Sequence, residues 1–248
     1  PPRATDKKID KDNNLAPTVT NNGPLLNKGW AYRNQVQSDM VGWTVLDFYA
    51  SRYTHSTRQE WQQRLVDGQI ELDGMTVPAE TRLERGQELV YYRLPWYEPS
   101  VPHTFNILAA DNDLLMVEKP SGLQVLPGGR FMQNTLLGLL REAYPEDQNL
   151  TPLHRLGRGT SGIMAIARSR VARQQLAQDW RQGKVQKKYR ALVQATDMPA
   201  TFVVEAAIGK VAYAPLGQIY AASTAGKPAR SLCRVLERRF DEHCTLLE

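Results

Sequence analysis

The feature that most constrains this chain is a ten-residue stretch, Leu94 to His103 (LPWYEPSVPH), that carries three prolines. Proline fixes φ near −65° and lacks an amide proton, so neither a helix nor a central strand continues through it. The stretch reads as a stiff linker between two modules. The 248 residues are 42% hydrophobic and 23% charged, the balance of globular domains that bury a core. No apolar run approaches the ~18 residues of a membrane-crossing helix. The first thirty residues show no charged-then-apolar leader, and one Arg with no Ser argues against a transit peptide. A chain opening on Pro1 is expected to be processed or a fragment. A membrane span, a disulfide miniprotein and a collagen-like fibre are excluded.

Before the linker, residues 1–35 are polar and rich in Asn, Lys, Asp and Pro, and are expected to form a disordered tail. From Gly42 the pattern changes. Trp43, Leu46, Phe48, Tyr49 and Tyr53 fall near helical spacing. Ser56 or Thr57 caps a second helix, with Glu60 near the third position, Trp61, Leu65 and Val66 on its buried face and Gly68 at its end. Ile70 and Leu72 alternate with polar residues, Asp73-Gly74 is a hairpin turn, Val77 starts the return strand, and Leu89 to Tyr92 is a last strand. Residues 36–95 thus read as two helices and a small antiparallel sheet.

After the linker, Ile107-Leu108, Leu114 to Val117, Ile163 to Ala167, Lys187 to Val193, Phe202 to Ala207 and Ser231 to Glu237 read as strands. Thr135 to Tyr144 and Arg170 to Arg181 read as helices, the latter ended by Gly183. Lys119 to Gly122 and Pro127-Gly128-Gly129 are turns. Residues 104–248 are therefore a second, mixed module, and the fold class is α+β.

Few side chains carry obvious chemistry. Cys233 and Cys244 make no metal-binding pattern and read as two reduced thiols. Gly157 to Gly162 (GRGTSG) matches the dinucleotide fingerprint, with Asp179 about twenty residues on. That fingerprint needs a strand before it and a helix after it. Here Pro152 and His154-Arg155 precede it and a strand-like run follows, so it reads as a glycine-rich turn. His154 is either a general acid or base or a hydrogen-bonded structural histidine.

Charge is the stronger signal. The formal net charge is +5, yet Arg168 to Arg190 alone carries eight cations against Asp179, a local +7. Such an excess repels itself unless an anion is near, which points to phosphate. Tyr189 lies inside it, where an aromatic could stack on an unpaired base or sit in the core.

The block Pro152 to Gly162 (PLHRLGRGTSG) resembles the hallmark of the RluA-type (large-subunit ribosomal RNA type) pseudouridine synthase family: His-Arg-Leu-Asp, two residues, then Thr-Ser-Gly. Further features agree in order, among them Val117 to Gly122 (VEKPSG), the Lys187/Tyr189/Ala191/Val193 alternation, Ile208-Gly209, Gly226 to Arg230 and Arg234 to Arg238 (RVLER). The earlier module is similar to the alpha-L RNA-binding domain that precedes many such synthases. The resemblance implies an α+β fold with a pseudouridine synthase-type mixed sheet, and isomerisation of uridine to pseudouridine in structured ribosomal or transfer RNA. It implies no cofactor, metal or membrane, and a cytoplasmic monomer. By position, Tyr189 would stack on the base and Arg155 would lie beside the extruded nucleotide. His154, Arg158, Thr160, Ser161, Lys119 and Lys187 would contact RNA or shape the pocket. Two departures stand out. Gly157 occupies the position of the family's catalytic aspartate, which leaves open an RNA-binding or RNA-folding role without isomerisation. The chain also stops at Glu248, before the family's Gly-Arg-x-His-Gln-Ile-Arg block, so the second module is expected to be incomplete.

Overall fold

The computed structural model describes residues 24–214 and 217–248. By contacts the chain divides into two units that meet in sequence between Gln178 and Asp179. That division falls within a helix, well after the proline-rich stretch.

The first unit begins with β1 (Leu25–Leu26) and β2 (Trp30–Gln35), followed by a single 3-10 turn at Ser38–Met40. Helices α1 (Val45–Arg52) and α2 (Arg58–Val66) come next, then β3 (Ile70–Leu72), β4 (Met75–Thr76) and β5 (Glu88–Arg93). The strands form one antiparallel sheet in the order β2-β5-β3-β4. The cap and turn signals act as expected, but Val66 is exposed at the end of α2 and not on its buried face, and the return strand is Met75–Thr76 and does not start at Val77. Thr57 and Glu60 form a reciprocal capping box: Thr57 N donates to Glu60 Oε2 at 2.6 Å and Glu60 N to Thr57 Oγ1 at 3.2 Å. Gly68 ends α2 with φ +69°, and the β3–β4 turn places both Asp73 (φ +51°) and Gly74 (φ +77°) in the left-handed region that a two-residue hairpin requires. Between helices and sheet lies a core of Val45, Phe48, Tyr49, Trp61, Leu65, Ile70 and Leu89.

Two expectations are corrected here. Of the tail, residues 1–23 lie outside the described residues, but Trp30–Gln35 is an ordered edge strand paired along its whole length with β5. Its stability comes from this long-range ladder and from Tyr32 stacking on Tyr91 (6.0 Å), which mean polarity does not reveal. The proline-rich stretch is likewise more than a linker. Tyr97–Glu98 forms β6 and pairs with β1. Glu98 is fully buried and accepts from Asn27 Nδ2 (2.8 Å), Gln133 N (3.0 Å) and Asn134 N (2.8 Å). Three donated protons, the Gln133 one shared between both oxygens, satisfy a carboxylate that burial would otherwise make costly.

The rest of the first unit comprises β7 (Asn106–Ala110), β8 (Leu114–Lys119), α3 (Leu136–Ala143), β9 (Thr151–Pro152), β10 (Gly162–Ala167) and α4 (Arg170–Arg181). The strands are antiparallel in the order β7-β8-β10-β9. Thr135 caps α3 by accepting from Gly138 N (3.1 Å), and Leu136, Leu139 and Leu140 pack on Leu115, Val117, Met164 and Ile166 of the sheet in a second core. This core anchors the ends of β8 and β10, from which the candidate site is built.

The second unit holds β11 (Ala191–Val193), β12 (Thr201–Glu205), β13 (Ile208–Tyr213), β14 (Gly217–Ala222), β15 (Arg230–Arg239) and β16 (Cys244–Leu247). One sheet runs β11-β16-β15-β12, and β13-β14 is a separate hairpin. The strand expected from Lys187 starts only at Ala191. Lys187, Lys188, Tyr189 and Arg190 are all exposed and irregular, because adjacent cations leave no apolar face to bury. Gly226 is required by close approach: a Cβ there would lie 2.3 Å from the Ile208 carbonyl carbon. Both cysteines are free thiols, Cys244 buried and Cys233 half-buried.

Candidate functional site

Two loops meet at one end of the β8–β10 ladder, where Gly162 pairs with Lys119. Residues 119–123 leave β8 and residues 154–161 lead into β10. The backbone binds them together: Gly122 N donates to Arg158 O (2.8 Å), and Ser121 Oγ donates to Gly159 O (2.8 Å). Lys119 completes the joint. Its ammonium donates to the carbonyls of Leu123 (2.8 Å), Pro120 (2.9 Å) and Arg158 (3.3 Å). The residue is fully buried, and burial holds its pKa below the usual lysine value. Lys119, expected to contact RNA or shape the pocket, is placed behind the site with its proton donors spent on carbonyls.

His154 behaves as a structural histidine. Its Nε2 accepts from Ala165 N (3.2 Å) while Leu153 N donates to Ala165 O (3.0 Å), so the loop is docked on β10 by both groups of one residue. With Nε2 as acceptor, that nitrogen carries a lone pair and no proton. Arg155, Gly157, Arg158, Thr160 and Ser161 are exposed. The Arg158 guanidinium lies over the Phe131 ring at 5.3 Å from its centroid. The loop therefore presents two cations and two hydroxyls on a backbone pinned from the inside. That array suits a phosphodiester and the edge of an unstacked base. Gly162 opens a strand, not a helix, so the dinucleotide reading lacks its helix N-terminus.

No carboxylate stands in residues 154–161. The glycine at 157 is not demanded by sterics: its φ is outside the left-handed region, and an added Cβ would find Thr160 Oγ1 at 3.4 Å. Asp147, near in sequence, accepts from Arg168 Nε (2.9 Å) and Nη2 (2.7 Å). Arg168 follows the other end of β10, roughly 20 Å along a six-residue strand at ~3.3 Å per residue. Glu118 is brought to the site end by its pairing with Ile163. Strand alternation puts it on the opposite face from Lys119, where it accepts from Asn106 Nδ2 (2.9 Å).

The basic run also changes in space. Arg168 is matched by Asp147, so Asp179 is not its only counter-charge. In the second unit Lys184 Nζ lies 3.4 Å from Asp179, Lys187 Nζ lies 5.7 Å from the Trp180 ring centroid, and Tyr189 is 54% exposed. Tyr189 is thus no core tyrosine. Lys187 and Tyr189 belong to the second unit, and the other six expected site residues to the first. Among the described residues no group of three His, Cys, Asp or Glu could hold a metal ion, and no helix is long and apolar enough to cross a membrane.

Comparison with known proteins adds an independent line. Residues 113–248 match the RNA pseudouridylate synthase family profile. An uncharacterised RNA pseudouridine synthase of Synechocystis sp. is 49% identical over 194 residues, covering 78% of this chain and 66% of that protein. RNA pseudouridine synthase 5 of Arabidopsis thaliana is 38% identical over 255 residues, covering 91% of this chain and 69% of that protein. Ribosomal large subunit pseudouridine synthase C of Vibrio cholerae is 30% identical over 224 residues, covering 83% of this chain and 70% of that protein. The chain spans about two-thirds of the length of these curated relatives.

Proposed function

Because the chain belongs to the RNA pseudouridylate synthase family, we propose that it isomerises uridine to pseudouridine in structured ribosomal or transfer RNA. The observation that carries the reading is the 154–161 loop: inside the family-matching segment, it exposes Arg155, Arg158, Thr160 and Ser161 while Lys119 and His154 fix its backbone. The uridine must leave its stack before its glycosidic bond is reachable. Arg155 and Arg158 then hold the flanking phosphates, and the two hydroxyls orient the base. In the isomerisation the C1′–N1 bond breaks and a C1′–C5 bond forms. N1 takes up a proton and C5 loses one. The choice of ribosomal RNA is supported by the name of the Vibrio cholerae relative. Transfer RNA, a monomeric working form and a cytoplasmic setting rest on the sequence resemblance.

Gly157 supports a second reading, in which the same loop binds the extruded uridine without isomerising it. Loss of the C5 proton separates the two. RNA tritiated at uridine C5 is incubated with the native chain and with Gly157→Asp, and released tritium is counted. Release by the native chain is expected. Release only after Gly157→Asp replaces the isomerase reading with the second one, and release by neither overturns the first.

A further inference from the structure

In the first unit a cavity of about 480 Å³ opens beside the sheet β2-β5, walled by α1, α2 and the turn at Gly129-Arg130. That volume lies within the ~300–1,000 Å³ of small-ligand sites. Its wall is aromatic, with Tyr32, Tyr53, Trp61 and Tyr91 contributing, and its charges are Arg64, Arg93 and Arg130. Among the described residues none of these three arginines has a carboxylate within ion-pair distance, and no carboxylate lines the cavity. A cationic guest is excluded twice over. The arginines repel it, and the Arg64 guanidinium already lies over the rings of Trp61 (4.3 Å) and Tyr91 (5.6 Å). What remains is a planar, aromatic guest joined to negative charge.

A second observation points the same way. Tyr49 lines the cavity and is 1% exposed, and its hydroxyl is buried without a hydrogen-bond partner among the described residues. An orphaned hydroxyl of this kind is destabilising, and a partner arriving in the cavity would remove that cost. We propose that the cavity receives one unstacked base of a bound RNA strand, its edge bonded to the Tyr49 hydroxyl, with Arg64 and Arg130 on the adjoining phosphates. The site is separate in composition from the 154–161 loop, and it rests on the reading of RNA as the partner. Aromatic walls accept any base, because every base has a π-face. The cavity is therefore a second grip that holds a neighbouring nucleotide out of its stack and does no chemistry.

The test uses the full chain and a fluorescein-labelled single-stranded RNA of mixed sequence, read by anisotropy over a salt series. Tyr49→Phe keeps shape and packing and removes only the hydroxyl. If the hydroxyl were structural, Tyr49→Phe would leave binding unchanged. The proposal expects affinity to fall about fivefold with thermal stability unchanged or raised. Arg130→Ala is expected to weaken binding and reduce the slope of log affinity against log salt by about one. Photocrosslinking of 5-iodouridine RNA should label the peptides carrying Tyr53 or Tyr91. Affinities within twofold of native for both variants overturn the proposal, as does a native chain that binds no RNA. Displacement of the strand by uridine 5′-monophosphate at matched concentration also overturns it, assigning the cavity to a free nucleotide. Tritium release distinguishes the two readings: release with unaffected variants leaves the synthase reading standing, and no release with cavity-dependent binding leaves the cavity standing.

Discussion

The small module around β2–β5 and the second unit are both rich in antiparallel strands, yet they hold themselves together differently. In the first, two helices close over the sheet and bury Tyr49, Phe48 and Trp61 to 2% exposure or less. In the second, Cys244, Thr245 and Leu247 are the buried residues among those described, while Leu232 (77%), Tyr220 (72%) and Phe240 (66%) are exposed. Backbone ladders, with ion pairs such as Glu205–Arg230 and Arg234–Glu248, define those strands. A sheet becomes cooperative when a second layer covers one face. The helices α1 and α2 supply that layer in the first case, and among the described residues of the second unit nothing does.

This contrast can be broken in several ways, the largest expected effect first. Hydrogen exchange should show the amides of β8, β10 and β5 protected at least a hundredfold more than those of β12 and β15, since opening energies follow buried contacts. Equal protection would sink the contrast. Trp61→Ala should cost about 3–5 kcal/mol in denaturant unfolding, whereas Leu232→Ala should stay within about 0.5 kcal/mol. A Leu232→Ala loss comparable with that of Trp61→Ala would show that the exposed strand is covered in solution. Thr57→Ala should remove about 1 kcal/mol by unmaking the capping box. The smallest effect is one of pH. Hydrogen bonds from the Thr57 backbone and hydroxyl hold the Glu60 carboxyl below its ordinary value near 4.5. A carboxyl whose folded pKa is depressed binds its proton more readily in the unfolded chain, so its stabilisation is present above that ordinary value and is lost as pH falls through the lowered one. The acid limb of the stability curve should flatten slightly in Thr57→Ala. An unchanged limb would place the acid sensitivity elsewhere.

The elements read best in advance were those whose signals are local. The Thr57–Glu60 box, Gly68, Asp73-Gly74, the helical span from Thr135 and the apolar run of β10 each carry their instruction within a few residues. Strands β1, β2 and β6 were missed because their partners lie 53 to 73 residues away and the stretches around them are polar or proline-rich. The candidate site divides along the same line. The exposed part, Arg155 to Ser161, was visible as a motif. That Lys119 is buried behind it, and that Asp147 is taken by Arg168, are consequences of strand register, which a motif does not encode. The cavity on the first module was read only as helix-face hydrophobics. Tyr49 and Trp61 were read on the apolar faces of two successive helices, and nothing in their spacing marks the hydroxyl left without a partner among the described residues.

Glu98 has a practical consequence for anyone recombining these modules. Three prolines invite an engineer to treat residues 94–103 as a tether and to cut or lengthen it at will. Its carboxylate, however, is shared among Asn27, Gln133 and Asn134. A chimera spliced there must carry all three donors from the same parent, or it will inherit a stranded acid at its seam.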